Sequence, residues 1–215
     1  MGNASMAERF FSAGERQSIE AAVRDVEART VGEIAVMVVD ASDEYLHAET
    51  IGGVLGAGAI AFFGVVAFLH SSLVYFILLT ALLFFPCRRI VRALPSVKSE
   101  FISPRKRREA VRIRALRAFY EKGLYRTKDQ TGVLFFLSLM ERTVWVLADK
   151  GIYGKIRQEQ LDRFAASVSQ GVREGRAADS LCRAIADAGS LLAEHFPRKA
   201  GDRNELSDRV ITEKD

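Results

Sequence analysis

The amino-acid sequence predicts an α+β fold in which helices pack on a small mixed sheet and a transmembrane helical hairpin interrupts the domain after its first strand. The first observation is a run of 37 residues, 51–87, that contains no Lys, Arg, Asp or Glu. The second is a set of three apolar runs of strand length, at 33–40, 132–138 and 143–149. The third is amphipathic helical spacing on both sides of the uncharged run.

The first segment is predicted to form a helix followed by a strand. Ser12 and Glu15 have the spacing of a capping box, in which each side chain bonds the other residue's backbone N–H at the helix start. Ile19 and Val23, four residues apart, predict one apolar face on this helix. The strand at 33–40 is apolar on both faces, which predicts a central position in the sheet beneath the helix.

The uncharged run is too long for one membrane crossing. As a single helix it would extend about 55 Å, whereas the hydrocarbon core of a bilayer is about 30 Å thick. Its only polar break, His70-Ser71-Ser72, divides it into a first helix near 51–69 and a second near 73–85. The run therefore predicts a transmembrane hairpin, and a buried hairpin in a water-soluble helical protein is the alternative.

The charge on either side of the hairpin predicts its orientation. Residues 30–50 contain no Lys or Arg, whereas the chain from Arg88 to Arg126 carries thirteen of them against three acids. Basic loops stay on the cytoplasmic side, so both termini are predicted to lie in the cytoplasm, with the hairpin in the cell (inner) membrane. The basic segment is expected to attract anionic lipid headgroups. Nucleic acid is the competing partner, but the segment contains no nucleic-acid-binding motif.

Small residues on the first predicted membrane helix form a face for close packing. Gly52 and Gly56 make a GxxxG pattern, which lets another helix approach closely. Packing against the second helix of the same hairpin is the simpler explanation. Contact with a second copy, giving a homo-oligomer, or with a membrane protein partner is the alternative.

A basic helix is predicted after a juxtamembrane linker at 88–103. The Ser-Pro pair at 103–104 has the residue types of a helix N-cap and first turn, and the helix should continue to about residue 122. Arginines are expected on one face of this helix, and the opposite face is expected to carry Ile113, Leu116 and Tyr120.

Two strands and two helices complete the predicted domain. The connection between the strands, 139–142, is so short that it predicts an antiparallel hairpin. Apolar stripes predict helices at 155–174 and 177–194. The predicted organisation is a first domain part at 1–50, the membrane hairpin at 51–87, the basic linker at 88–103, a second domain part at 104–197 and a polar tail at 198–215.

Six short motifs occur in a fixed order outside the uncharged run. They are GEIAV at 32–36, GVLFFLS at 132–138, ERTV at 141–144, ADKGI at 148–152, HFP at 195–197 and NELSD at 204–208. In order and spacing they resemble the TPM-domain family over nearly all of the chain outside the hairpin. The resemblance implies an α/β sandwich, which agrees with the elements predicted above.

The resemblance implies a range of functions. Members of that family include a thylakoid acid phosphatase, a photosystem II repair factor and an accessory protein of acetylcholine receptors, and some bind divalent cations. This chain departs from the family pattern in two ways. Its hydrophobic pair splits the domain, where many members have a membrane helix at the C-terminus, and the glycine-rich turn after the third strand is reduced to KGIYG at 150–154.

Four carboxylates at predicted strand ends are the candidate metal ligands: Glu33, Asp129, Glu141 and Asp149. By the resemblance, Asp129 precedes the glycine that opens the second strand and Asp149 follows the third. The two would then face the same edge and offer hard oxygen ligands to calcium or magnesium. Turn formation, an ion pair and a loop cap are the alternative roles of these residues. No catalytic residue is predicted, because the sequence contains no Walker loop, GxGxxG, HExxH or CxxC pattern.

The sequence as a whole predicts a two-pass membrane protein with a cytoplasmic TPM-like domain. Its expected role is that of a non-catalytic accessory or assembly factor for membrane complexes. The alternative function is that of a divalent-metal-dependent phosphatase that hydrolyses phosphomonoesters.

Overall fold

The computed structural model of the chain describes residues 5–68, 72–199 and 204–213. It confirms the α+β class and divides the chain into two compact units. The sheet unit comprises residues 1–42 and 108–215, and the hairpin unit comprises residues 43–107.

The helices and strands occur in the order that the sequence predicts. Three short helices are added: one near the N-terminus, one after the hairpin and one after the third strand. In chain order they are α1 (Met6–Phe10), α2 (Ala13–Glu27), β1 (Glu33–Val39), α3 (Leu46–Phe68), α4 (Leu73–Ala93), α5 (Pro95–Glu100), α6 (Pro104–Glu121), a 3₁₀ turn (Leu124–Arg126), β2 (Gly132–Ser138), β3 (Thr143–Ala148), α7 (Lys150–Tyr153), α8 (Gln158–Arg173) and α9 (Ala177–His195).

The predicted capping box at the start of α2 is confirmed. The Glu15 carboxylate accepts a hydrogen bond from the Ser12 backbone N–H at 2.8 Å, and the Ser12 hydroxyl accepts one from the Glu15 N–H at 3.3 Å. The apolar face of α2 is also as predicted, since Ile19 and Val23 are fully buried. The helix therefore starts where its cap satisfies the exposed backbone donors, and it is held by its contact with the core.

The sheet is mixed and has the strand order β1-β2-β3. β1 and β2 are parallel, with Glu33 opposite Gly132 and Val39 opposite Ser138. β2 and β3 form the predicted antiparallel hairpin, with Ser138 opposite Thr143. Since parallel neighbours require a long crossover, the whole segment between β1 and β2 serves as that connection.

The central position predicted for β1 is wrong, because β1 lies at one edge of the sheet and β2 is the central strand. Its outer edge is covered by a C-terminal segment, residues 204–213, where the sequence predicts only a polar tail. Ile211 donates its N–H to the Val36 carbonyl at 2.8 Å and accepts the Val38 N–H at 3.0 Å. This short bridge gives the edge of β1 backbone partners, as an exposed strand edge requires, and explains why β1 is buried throughout.

Helices cover both faces of the sheet and produce two core layers. One layer joins Ile34 and Phe135 to the apolar faces of α2, α8 and α9. The other joins Met37 and Phe136 to α6. Burial on both faces accounts for the nearly continuous apolar sequence of β1 and β2.

The face of α6 that packs on the sheet is not its face of large apolar residues. Ile113, Leu116 and Tyr120 are 50%, 43% and 57% exposed. Small side chains dominate the packed face, because they allow the helix backbone to approach the sheet closely. The buried residues of this helix are Val111, Ala115, Ala118 and Phe119.

In the hairpin unit, α3 and α4 pack against each other as an antiparallel pair. A Cβ placed on Gly53 would lie 2.9 Å from the Arg88 Cβ, and one placed on Gly64 would lie 3.4 Å from the Leu79 side chain. The helices extend beyond the predicted bounds, since α3 begins at Leu46 and α4 continues to Ala93. The polar break predicted at His70 and Ser71 lies outside the described residues.

Both hairpin helices are long and apolar enough to cross a membrane, over Leu46–Ala67 and Leu73–Ala93. Only 28% and 11% of their most apolar windows are buried. A core helix of a water-soluble protein would be mostly buried, so this exposure favours the membrane interpretation over the alternative.

The small-residue face of α3 is covered within the hairpin unit. A Cβ on Gly52 would lie 3.0 Å from the Val91 side chain of α4 and 2.9 Å from the ring of Phe101, and one on Gly56 would lie 3.7 Å from the Cys87 Cβ of α4. Contacts within this unit therefore account for the GxxxG pattern, as the simpler explanation expects.

Candidate functional site

Glu33 fastens the C-terminal segment to the start of β1. One of its carboxylate oxygens accepts the Glu205 backbone N–H at 3.1 Å, and the other accepts the Leu206 N–H at 3.3 Å. The carboxylate is buried. Charge-assisted hydrogen bonds to backbone donors are among the stronger ones in proteins, so Glu33 has a clear anchoring role.

A second buried carboxylate, Glu27 at the end of α2, lies beside this contact. One oxygen accepts the Ile34 backbone N–H at 3.0 Å, and the other accepts the Asn204 side-chain amide at 3.2 Å. Burial raises the pKa of Glu27 to about 8; the Ile34 hydrogen bond opposes this rise, and the nearby Glu33 and Asp208 carboxylates add to it. Glu27, Glu33 and Asp208 form what we call the acidic clasp.

Asp149 lies at the same end of the sheet. Its backbone N–H bonds the Gly132 carbonyl at 2.8 Å, which places it beside the start of β2. Its Oδ1 accepts the Lys150 N–H at 2.7 Å and so caps α7. Its Oδ2 is buried and has no hydrogen-bond partner in the described part of the chain.

The other two predicted metal ligands are engaged elsewhere. Asp129 forms an ion pair with Lys199 at 2.6 Å. Glu141 lies at the opposite end of the sheet, where it accepts hydrogen bonds from the Ser138 hydroxyl and from the Ser42 N–H, the latter at 3.0 Å. The turn from β2 to β3 carries Glu141 away from the end where β1 and β2 begin.

The structure thus places Glu33, Asp129 and Asp149 at one end of the sheet and Glu141 at the other. Within residues 5–68, 72–199 and 204–213, no group of three or more His, Cys, Asp or Glu side chains could hold a metal ion. Calcium takes six to eight oxygen ligands, and of the four predicted ligands only Asp149 has a buried oxygen without a hydrogen-bond partner in the described part of the chain. The calcium or magnesium site stays a prediction.

A cavity of about 500 Å³ lies along the outer edge of β1, next to the C-terminal segment. This volume falls within the range of small-molecule sites. Sequence reasoning missed the cavity, since part of its wall is the segment predicted to be a tail. Its lining residues are Arg16, Glu20, Ala35, Lys122, Leu124, Leu206, Ser207, Arg209, Val210 and Ile211.

The lining of this cavity is positively charged. It contains Arg16, Lys122 and Arg209 against one acid, Glu20. The Arg16 guanidinium is fixed by the backbone carbonyls of Ala7 and Phe11, each at 3.3 Å, so its charge is held in place at the wall. The cavity therefore favours a negatively charged occupant.

An ion pair lies near the start of α3 in the hairpin unit. Glu49 is buried and accepts a hydrogen bond from the Lys98 ammonium at 2.8 Å, with the Arg88 guanidinium 4.0 Å away. Two cations therefore neutralise the one acid in the first turn of this apolar helix. Such pairing reduces the cost of removing a carboxylate from water.

No family model and no curated protein matches the sequence. Among solved structures, the NMR structure of the BA42 protein from the psychrophilic bacterium Bizionia argentinensis is similar to this chain, with a TM-score of 0.59. The likeness covers 94% of this chain and 95% of that chain at 22% sequence identity. At this level of identity the likeness shows a shared fold.

Proposed function

We propose that this chain is a two-pass membrane protein that acts as a non-catalytic accessory or assembly factor for a membrane complex. The observation that carries the proposal is the pair of long apolar helices, α3 and α4, which pack together and leave most of their apolar surface exposed. In water such a surface would drive aggregation, whereas in a bilayer it is solvated by lipid.

The charge distribution supports a cytoplasmic sheet unit. α4 ends with Arg88, Arg89 and Arg92, and no Lys or Arg occurs in residues 30–50. By the positive-inside rule, both ends of the hairpin, and hence both termini, are proposed to lie on the cytoplasmic side of the cell membrane. Anionic lipid headgroups are the expected partners of the basic segment from Arg88 to Arg126.

Membership of the TPM-domain family is part of the proposal. The motifs that carry the resemblance lie on β1 and β2, at both ends of β3, at the end of α9 and in the C-terminal segment of the sheet unit. The accessory members of that family support a binding role for this chain. The cationic cavity at the edge of β1 is the proposed contact site for an acidic segment of the membrane protein partner.

The accessory role predicts a complex that depends on the charge of this cavity. Full-length protein, crosslinked in its native membranes and purified in mild detergent, is expected to carry a membrane protein partner in stoichiometric amount. Lys122→Glu combined with Arg209→Glu should reduce the yield of that partner on the order of tenfold, because it reverses the charge facing an acidic segment. Quantitative mass spectrometry measures the yield.

A matched control keeps the net charge change the same. Lys155→Glu with Arg163→Glu makes the same reversal at exposed positions outside the cavity and should leave the yield unchanged. Equal losses in both double variants would mean that net charge, rather than the cavity, governs the association. No stoichiometric partner in the wild-type sample would contradict the accessory role.

The metal-dependent phosphatase is the second candidate function, and the unpartnered Oδ2 of Asp149 is the observation that favours it. It predicts phosphate release from p-nitrophenyl phosphate at millimolar calcium or magnesium, lost in Asp149→Asn and Asp129→Asn. Our expected result is no release above that of a heat-denatured sample, because the carboxylates do not converge. Calcium titration by calorimetry tests the metal site separately.

A further inference from the structure

The outward face of α6 carries a stripe of large, exposed apolar side chains. Ile113, Leu116 and Tyr120 follow one another at spacings of three and four residues, which places them on one side of the helix. All three are exposed. The residues that pack on the sheet, among them Val111 and Ala115, lie on the opposite side, so the stripe has no role in the core.

Arginines border this stripe on both sides. Arg117 follows Leu116 on one flank, and Arg108 and Arg112 lie on the other, by the 100° turn per residue of a helix. From Arg108 to Arg126 the chain carries six Lys or Arg and two Glu. Arg112 forms an ion pair with Glu109 at 2.9 Å, whereas neither Arg108 nor Arg117 has an ion-pair partner among the described residues.

The two polar flanks and the apolar centre match the pattern of a helix that lies in a membrane interface. Such helices carry Lys and Arg on the polar flanks and bury the apolar face at the boundary between headgroups and acyl chains. Aromatic side chains with polar tips favour this depth, and Tyr125 follows the stripe with Arg126 stacked 5.3 Å from its ring centre.

A lipid surface fits this face better than a second copy does. Two copies meeting through it would bring a dozen cations together, and like charges across an interface oppose association. Anionic headgroups have the complementary charge. Only ten residues separate the end of α4 from the start of α6, so the chain keeps this helix within reach of the bilayer that α4 is proposed to span.

We propose that the outward face of α6 binds the cytoplasmic surface of an anionic bilayer, with the Ile113, Leu116 and Tyr120 side chains inserted among the lipid headgroups and flanked by arginines bound to lipid phosphates. The inference rests on the membrane anchoring proposed above and adds a second, shallower contact.

Depth-dependent fluorescence quenching tests this contact on the full chain. Ile113→Cys, made in a Cys87→Ala, Cys182→Ala background and labelled with an NBD fluorophore, is reconstituted into nanodiscs of phosphatidylcholine with or without phosphatidylserine. With phosphatidylserine present, doxyl lipids are expected to quench this probe roughly threefold more than in its absence, because the contact is partly electrostatic. The emission maximum should also shift to shorter wavelength.

Two further probe positions separate the failure of this inference from the failure of the anchoring. Glu159→Cys on α8 is the exposed reference and should remain unquenched. Phe63→Cys, exposed on α3, should be quenched in both lipid mixtures. Quenching at residue 63 without quenching at residue 113 would overturn the α6 contact and leave the anchoring intact.

Two other outcomes of the quenching experiment would also overturn the α6 contact. A blue shift at residue 113 without quenching by doxyl lipids would show that a protein surface covers the stripe, which overturns the lipid contact. Absence of quenching at both positions would overturn the α6 contact and the anchoring together.

Discussion

Replacement of Glu27 by Gln is expected to abolish most of the decrease in stability that the sheet unit shows as the pH rises from about 5 to about 8. In the folded protein the pKa of Glu27 is raised to about 8 from an ordinary value of 4.5, chiefly by burial. A raised pKa means that the folded state prefers the protonated form. Glu27 therefore contributes its full stability below pH 4.5, and that contribution is lost as the pH rises through 8.

The variant should differ from the wild type mainly at alkaline pH. Gln keeps an oxygen that accepts the Ile34 N–H and removes the buried negative charge next to Glu33 and Asp208. We expect the two proteins to have similar melting temperatures near pH 5 and the variant to melt higher by ~5–10 °C at pH 8.5. Near-ultraviolet circular dichroism of the detergent-solubilised chain measures both transitions.

A carboxylate with the opposite shift provides the control. Hydrogen bonds from the Ser12 backbone and hydroxyl lower the pKa of Glu15, so Glu15 stabilises the fold above its ordinary pKa and loses that effect in acid. Glu15→Gln should therefore lower the melting temperature at neutral pH and converge with the wild type in acid. If Glu27→Gln gave a curve parallel to that of the wild type at all pH values, the buried-charge account of the acidic clasp would be wrong.

The strands could be predicted because their signal is local. β2 is fully buried, and its run of apolar and aromatic residues appears in the sequence without interruption. The four residues between β2 and β3 leave room only for a hairpin. The register of β1 with β2 depends on a crossover of more than ninety residues, and no local pattern encodes it.

The parts that escaped prediction depend on tertiary contacts. α6 packs on the sheet through a face that includes Ala115 and Ala118, and its large apolar residues Ile113 and Leu116 do not mark that contact. The C-terminal segment has a polar composition, and its pairing with β1 rests on the Val210-Ile211 dipeptide and on a strand edge that lacked a partner. In the sequence Glu27 has the position of a polar residue at the end of an amphipathic helix, and no local pattern indicates its tertiary contact with Asn204 of that same segment.

In the candidate site, too, local features could be predicted from the sequence and tertiary contacts could not. The end of a strand is a local feature, so Glu33 and Asp149 could be placed at strand ends in advance, and the resemblance implied a shared edge for Asp129 and Asp149. The partners of these carboxylates could not be, since they come from backbone N–H groups of the C-terminal segment and of α7. The cavity beside β1 was likewise inaccessible to sequence reasoning, because one wall consists of that segment.

Gly189→Ala is expected to destabilise the sheet unit strongly, although alanine is the better helix former. Gly189 lies in α9, and a Cβ there would be 2.6 Å from Val26 Cγ1 and 2.9 Å from Val26 Cβ. Val26 is buried and cannot move away without disturbing the core. The free energy of unfolding should fall by a net ~2 kcal/mol, since the cost of overpacking exceeds the gain in helix propensity of about 1 kcal/mol. The melting temperature should then fall by ~4–8 °C.

A double-mutant cycle attributes this loss to one contact. Val26→Ala alone is expected to cost about 2 kcal/mol through the cavity that it leaves. The double variant Val26→Ala, Gly189→Ala should cost less than the sum by roughly 1 kcal/mol or more, since the new methyl group occupies the vacated space. Gly14→Ala on α2, with no atom within 4 Å of the new Cβ, serves as the control and should not lower the melting temperature. Strict additivity of the two substitutions would show that α2 and α9 are not in contact at Gly189.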